Sequence, residues 1–198
     1  MSDGLPVVYL ARHGETAWSA SGRHTGMTDL PLTQRGEQNA RDLGERLKAV
    51  PFARIFTSPL QRAVRSSSLA GFGANAEIDP DLVEWNYGQY EGRTSAEIHA
   101  ERPDWQLFLD GCPGGESPTD VATRADRVVA RARAVQGNVL LFSSAHFLRM
   151  LAARWLGLDP SAGRYWVLST ASLSTLGYEH DAAEPVIRLW NATNPAGA

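Results

Sequence analysis

The chain has 198 residues, 43% of them hydrophobic and 21% charged, with a formal net charge of −3. That length suits one well-packed domain spanning 1–198, and the composition excludes a disordered chain. The charge balance excludes a dedicated nucleic-acid binder, which needs a basic surface. One cysteine, Cys112, excludes an intrachain disulfide and a multi-cysteine metal site, so a reducing cytoplasm is the expected compartment. The long uncharged stretch Tyr165 to Tyr178 is broken by Ser and Thr, and the N-terminus reaches Asp3 at once. Neither a membrane span nor a signal peptide is expected. Lys48 is the one lysine among 19 basic residues. Arginine is the better fork for oxyanions, so the positions of the arginines carry more information than their number.

Strand-like and helix-like segments alternate, which predicts an α/β fold with a mostly parallel sheet. Pro6 to Ala11 reads as a buried strand ending at Arg12-His13-Gly14. Thr33 is placed to cap a helix running to Val50, with Ala40, Leu43 and Leu47 at helical spacing. Arg54 to Thr57 reads as a second strand, followed by a helix opened by Pro59 in its first turn. Asn75 to Asp79 is expected as a short third strand. Thr94 to Glu97 has the capping-box form, and Pro103 to Asp110 reads as a further helix. After the Cys112–Glu116 turn, Ser117 caps a long helix. Asn138 to Ser143 is the clearest central strand, and His146 to Leu156 reads as a helix. Ser172 to Tyr178 and Pro185 to Trp190 read as closing strands, a hairpin by their spacing. Leu173 and Trp190 in that segment suit either a core or a homodimer interface.

Taken singly, His13, Arg62 and Glu84 have ordinary readings: a core histidine, a surface arginine, a solvated acid. Together they do not. Arg12-His13-Gly14-Glu15-Thr16 follows the first strand, Ser58 to Ala63 the second, and another histidine follows the central strand. Ligands of open α/β sheets bind beyond the carboxyl ends of the strands, so two arginines and two histidines should converge on one crevice. Arginine binds phosphate oxygens bidentately, helix N-termini add amide donors, and a neutral imidazole is a competent nucleophile. Gly14 is expected to let the backbone approach the phosphate closely. Glu84 is expected to protonate a leaving alkoxide, with no metal or cofactor required.

These segments resemble the histidine phosphatase superfamily, also called phosphoglycerate mutase-like. The resemblance rests on Arg12 to Thr16, on His24-Thr25-Gly26 with Asp29 to Thr33, and on Ser58-Pro59 through Ala63. It continues with Glu84 to Gly88 and Tyr90-Glu91-Gly92, and with Gly114 to Ser117, running in order from about residue 7 to 191. It implies a three-layer α/β/α fold. It also implies a phosphohistidine on His13, with Arg12 and Arg62 gripping the phosphoryl oxygens and Glu84 as acid and later base. Ser19, Thr25, Gly26 and Tyr87 would line the entrance. One departure stands out, because the family usually has a second histidine followed by glycine after the central strand. Ser144 and Ala145 occupy those positions here, and the nearest histidine is His146. Either His146 contributes in its place, or Ser144 bonds the phosphate, or the site is weakened; the first reading is favoured. The short Gly92–Gly114 interval and the segment Asp104 to Pro113 resemble the acid phosphatase and sugar-bisphosphatase branches. The expected activity is therefore hydrolysis of a small phosphorylated metabolite. Mutase-type transfer and a phosphate-binding relative without turnover are the alternatives. Arg23, His24 and His99 are read as solvated surface rather than as contacts to a second phosphate.

Overall fold

The computed structural model describes residues 4–193. Among these residues six strands form one sheet: β1 (Val8–Arg12), β2 (Phe52–Thr57), β3 (Glu77–Ile78), β4 (Asn138–Ser143), β5 (Leu173–Tyr178) and β6 (Pro185–Ala192). Their spatial order is β3-β2-β4-β1-β5-β6. The first four are parallel, whereas β5 and β6 are antiparallel additions. β4 lies between β1 and β2, and its residues from Val139 to Ser143 are all buried. Helices cover both of its faces, so a continuous apolar run is what this strand needs.

Among the described residues seven α-helices accompany the sheet: α1 (Ala17–Ala20), α2 (Gln34–Leu47), α3 (Gln61–Leu69), α4 (Ser95–Glu101), α5 (Leu107–Asp110), α6 (Pro118–Arg133) and α7 (Ala145–Trp155). Leu43 and Leu47 of α2 and Ala63 of α3 share a cluster with Ala11, Leu140 and Phe142 on one face. Val121 and Val128 of α6 and Phe147, Leu151 and Trp155 of α7 fill the other, against Val8, Leu10 and Leu141. The fold is the expected three-layer α/β/α sandwich. Each fully buried large apolar side chain contributes about 1.5–3 kcal/mol, so the sheet edge that carries the site has a stiff support.

The capping residues act as their types predict. The Thr33 hydroxyl accepts from Gly36 N–H, and Thr94 and Ser117 close capping boxes with Glu97 and Asp120. Three expectations need correction. Pro59 lies before α3, whose N-cap is Leu60, because the chain stays extended through residue 60. The helix read into Pro103–Asp110 is only the single turn α5, preceded by Gln106, whose side chain accepts from Phe108 N–H. The third strand shortens to two residues paired with Phe56 and Thr57. In the closing hairpin, Leu173 is buried in the core, and the Trp190 ring packs 5.9 Å from that of Trp166. Among the described residues no helix is long and apolar enough to cross a membrane.

Candidate active site

Because β1, β2 and β4 run parallel, their carboxyl ends open on one edge of the sheet. Arg12 stands opposite Ser143 in register, and His13 N–H donates to the Ser143 carbonyl at 3.0 Å. One step on, Ser58 N–H donates to the Phe142 carbonyl at 2.9 Å, which aims α3 and Arg62 at the same edge. A cavity of about 320 Å³ opens there. Arg12, His13, Glu84 and His146 line it, with Ser19, Thr25, Tyr87 and Ala145 around them.

His13 is 3% exposed, and its Nδ1 meets the Gly14 carbonyl at 2.7 Å. A carbonyl only accepts, so Nδ1 carries the proton and Nε2 keeps its lone pair. Burial and the nearby Arg12 and Arg62 charges hold the imidazole well below its ordinary pKa. It is neutral at physiological pH, as a nitrogen nucleophile must be.

Glu84 is 3% exposed and engages backbone with both oxygens. Oε1 accepts from Trp85 N–H at 2.9 Å and from Phe147 N–H at 2.8 Å. Oε2 accepts from His146 N–H at 3.0 Å. The carboxylate therefore caps α7, where the Ser144 side chain makes no capping bond. With two donors on Oε1 and one on Oε2, Oε2 retains the free lone pair for proton exchange.

His146 is held from the other side. Its Nδ1 lies 2.6 Å from the Tyr87 hydroxyl, and burial keeps the phenol well above its usual pKa. The phenol has no other partner among the described residues, so it donates to Nδ1 and leaves an Nε2–H on His146. Burial, with Arg149, His24 and Arg12 nearby, keeps this imidazole neutral as well.

Four expected site residues lie off the cavity wall. Ser144 is 1% exposed and its hydroxyl has no partner. Arg62 is fully buried. Its terminal nitrogens donate to the carbonyls of Thr25, Gly26 and Thr28, leaving Nε without a partner. Gly26 belongs to the turn that Arg62 holds, and Glu91 accepts from the amides of Gly26 and Thr28. A Cβ at Gly26 would stand 2.4 Å from the Trp85 carbonyl oxygen. The reading of Gly14 also needs correction: a Cβ there would lie 2.2 Å from the Gly36 carbonyl oxygen. Glycine at 14 is required by close packing of backbone against α2, with its N–H spent on Ser66 Oγ.

The cavity also recruits His24, read from sequence as surface, and Arg149, which the sequence did not single out. His24 is not solvated surface. It is 9% exposed, with its ring 4.8 Å from that of Tyr87 and 5.9 Å from that of His146. Arg149, one turn beyond His146 on α7, lines the same wall.

Burial lowers the His24 pKa to about 4. The native ring thus stays neutral while the unfolded one, with its pKa near ~6.5, takes a proton. The stability this gives is complete above pH 6.5 and is lost as pH falls from there toward 4, by about 3 kcal/mol. In urea titrations at pH 7 and pH 4.5, His24→Gln should lose less stability on acidification than the parent. Equal losses would place the acid sensitivity elsewhere.

Comparison with known proteins agrees with this geometry. Residues 8–193 match the model of the histidine phosphatase superfamily, branch 1. The chain belongs to the histidine phosphatase superfamily. An acid phosphatase of Mycobacterium tuberculosis is 41% identical over 175 residues, covering 86% of each chain. A sedoheptulose 1,7-bisphosphatase of Saccharomyces cerevisiae is 35% identical over 186 residues, 77% of this chain and 68% of that one. A solved Mycobacterium tuberculosis structure superposes with a TM-score of 0.89 at 36% identity, covering 94% of this chain and 97% of the other. These phosphatase relatives of a histidine phosphatase superfamily member bear out the expected class, a phosphomonoester hydrolase.

Proposed function

We propose that this protein hydrolyses a small phosphomonoester by way of a phosphohistidine on His13, without a metal. The observation that carries the proposal is the locked tautomer of His13 on the wall of a cavity shared with Arg12 and Glu84. Nε2 attacks phosphorus, the bond to the leaving oxygen breaks, and Glu84 gives that oxygen its proton. Water then yields a proton to the Glu84 carboxylate while its oxygen attacks phosphorus. The N–P bond breaks, phosphate departs, and His13 and protonated Glu84 are restored. Arg12 and Arg62, each with an unpartnered buried Nε, supply the positive charge that the transferring group requires.

His146 takes part as a neutral donor, because the Tyr87 hydroxyl on Nδ1 leaves the ring proton on Nε2 and the ring lines the cavity. The relatives named acid phosphatase and sedoheptulose bisphosphatase support a phosphorylated small metabolite as substrate, probed by phosphate release from a panel of esters. Removal of one preorganised donor costs about 10²-fold in turnover. His146→Ala should show a loss of that size in steady-state assays with an alkyl phosphate. A change below about threefold would leave this histidine a structural role only.

A further inference from the structure

Glu84 sits within residues 83–87, which form neither helix nor strand. No ladder of backbone hydrogen bonds sets its place, and the amides on its carboxylate hold only the far end of the side chain. The backbone end is held from α6. Arg124 is 7% exposed, and all five N–H groups of its guanidinium are engaged. Nη1 donates to the carbonyls of Asp81 at 2.8 Å and Val83 at 2.9 Å, and Nη2 to that of Glu84 at 3.2 Å. Between them, Ser143 Oγ donates to the Leu82 carbonyl at 2.6 Å. The successive carbonyls of residues 81–84 are thus fixed by side chains.

The other Arg124 donors meet Glu116, Nε to Oε1 at 2.7 Å and Nη2 to Oε2 at 3.0 Å. Glu116 grips the chain on the far side of Glu84. Its Oε2 accepts from Asn86 N–H at 2.8 Å, and its own N–H donates to the Asn86 carbonyl at 2.9 Å. Its carbonyl accepts from Trp85 Nε1 at 2.9 Å. Arg124 Cζ also lies 4.8 Å from the centre of the Phe147 ring, and Phe147 N–H donates to Glu84 Oε1. Neither Arg124 nor Glu116 lines the cavity. A largely buried ion pair is weak support for stability by itself. What this one fixes is the geometry of a loop that lacks a ladder of its own.

We infer that Arg124, with Glu116 as its counter-ion, is a positioning residue for the proton donor: it holds the Glu84 backbone where the carboxyl can reach the leaving oxygen. The inference rests on the reading of Glu84 as the acid. Proton transfer needs about 2.6–3.2 Å between heavy atoms, and a misplacement of about 1 Å caused far from the chemistry can cost about 10²-fold. Without Arg124 the carbonyls of Asp81, Val83 and Glu84 lose their donors, and the loop shifts to find others.

Leaving-group dependence tests this. In Arg124→Gln, kcat/KM for an alkyl phosphate should fall about 10- to 100-fold. The value for p-nitrophenyl phosphate, whose leaving group needs no proton, should stay within about threefold. Should that variant fail to fold, Arg124→Lys keeps the charge beside Glu116 with fewer donors, and should lose about tenfold on the alkyl ester alone. A purely structural role would lower both values together. Added to Glu84→Gln, either substitution should cost the alkyl ester no more than about threefold further, because the group it positions is gone. Parallel losses on the two esters, no loss on either, or losses that multiply fully in the double variant overturn the inference and leave Glu84 as the acid. Equal losses on both esters in Glu84→Gln alone would instead remove the acid, and this inference with it.

Discussion

His13→Ala is expected to lower kcat/KM for every phosphate ester by about 10⁴-fold or more, the scale on which loss of a catalytic nucleophile is felt. The argument starts from the strand. β1 ends where His13 N–H donates to the Ser143 carbonyl, and the next carbonyl, that of Gly14, takes the Nδ1 proton. The ring therefore has one rotamer and one tautomer, with its remaining nitrogen toward the cavity. Neither Arg12 nor Arg62 can replace that lone pair, since guanidinium remains protonated. Steady-state rates with p-nitrophenyl phosphate and an alkyl phosphate check this. Retention of more than about one hundredth of the parent rate would remove His13 from the covalent step.

Glu84→Gln separates two duties of one carboxylate. The side chain caps α7 through three backbone donors and is also the proposed acid. An amide of the same shape turns one acceptor into a donor facing a backbone N–H, so stability should fall by about 1–3 kcal/mol. Catalysis should fall further and selectively. An alkyl leaving group needs a proton, and its hydrolysis should slow by about 10²–10⁴-fold. The p-nitrophenolate group leaves without one, so its kcat/KM, which excludes the later attack of water for which Glu84 is the base, should fall only about tenfold or less. Equal losses of kcat/KM on both esters, measured below the melting transition of the variant, would remove Glu84 as the acid of the first step.

Most of the fold was legible because its signals are local. The apolar run Val139–Phe142 marks a strand buried on both faces, and Thr33, Thr94 and Ser117 mark helix starts by side-chain chemistry that acts within three residues. The convergence of Arg12 and His13 with a later histidine was legible for a topological reason, since strand ends of a parallel sheet share an edge, whereas Glu84 was reached from the proton a leaving alkoxide needs and from the family resemblance. What local pattern did not show depends on approach over long sequence distances. His24 looked solvated because nothing in residues 21–27 reveals that its backbone pairs with Arg93 and Gly92 and that its ring stacks near Tyr87. The purpose of Gly14 was misread for the same reason, because Gly36, which crowds it, lies on α2. Arg149 did leave a signal, three positions after His146 and so on the same face of the helix. The replacement of the usual histidine by Ser144 was visible from sequence, but not that Ser144 would be sealed beneath the wall with Glu84 capping the helix instead.

The central claim is a phosphoryl group carried on His13, and trapping it is the most direct test. The protein, mixed with a fast-leaving phosphate ester in the presence of a chelator and quenched in alkali within milliseconds, would be digested for mass spectrometry. The account predicts an acid-labile phosphate on the peptide containing His13, formed no more slowly than phosphate is released. Continued release of phosphate with His13 unlabelled, or a label on another residue, would contradict it.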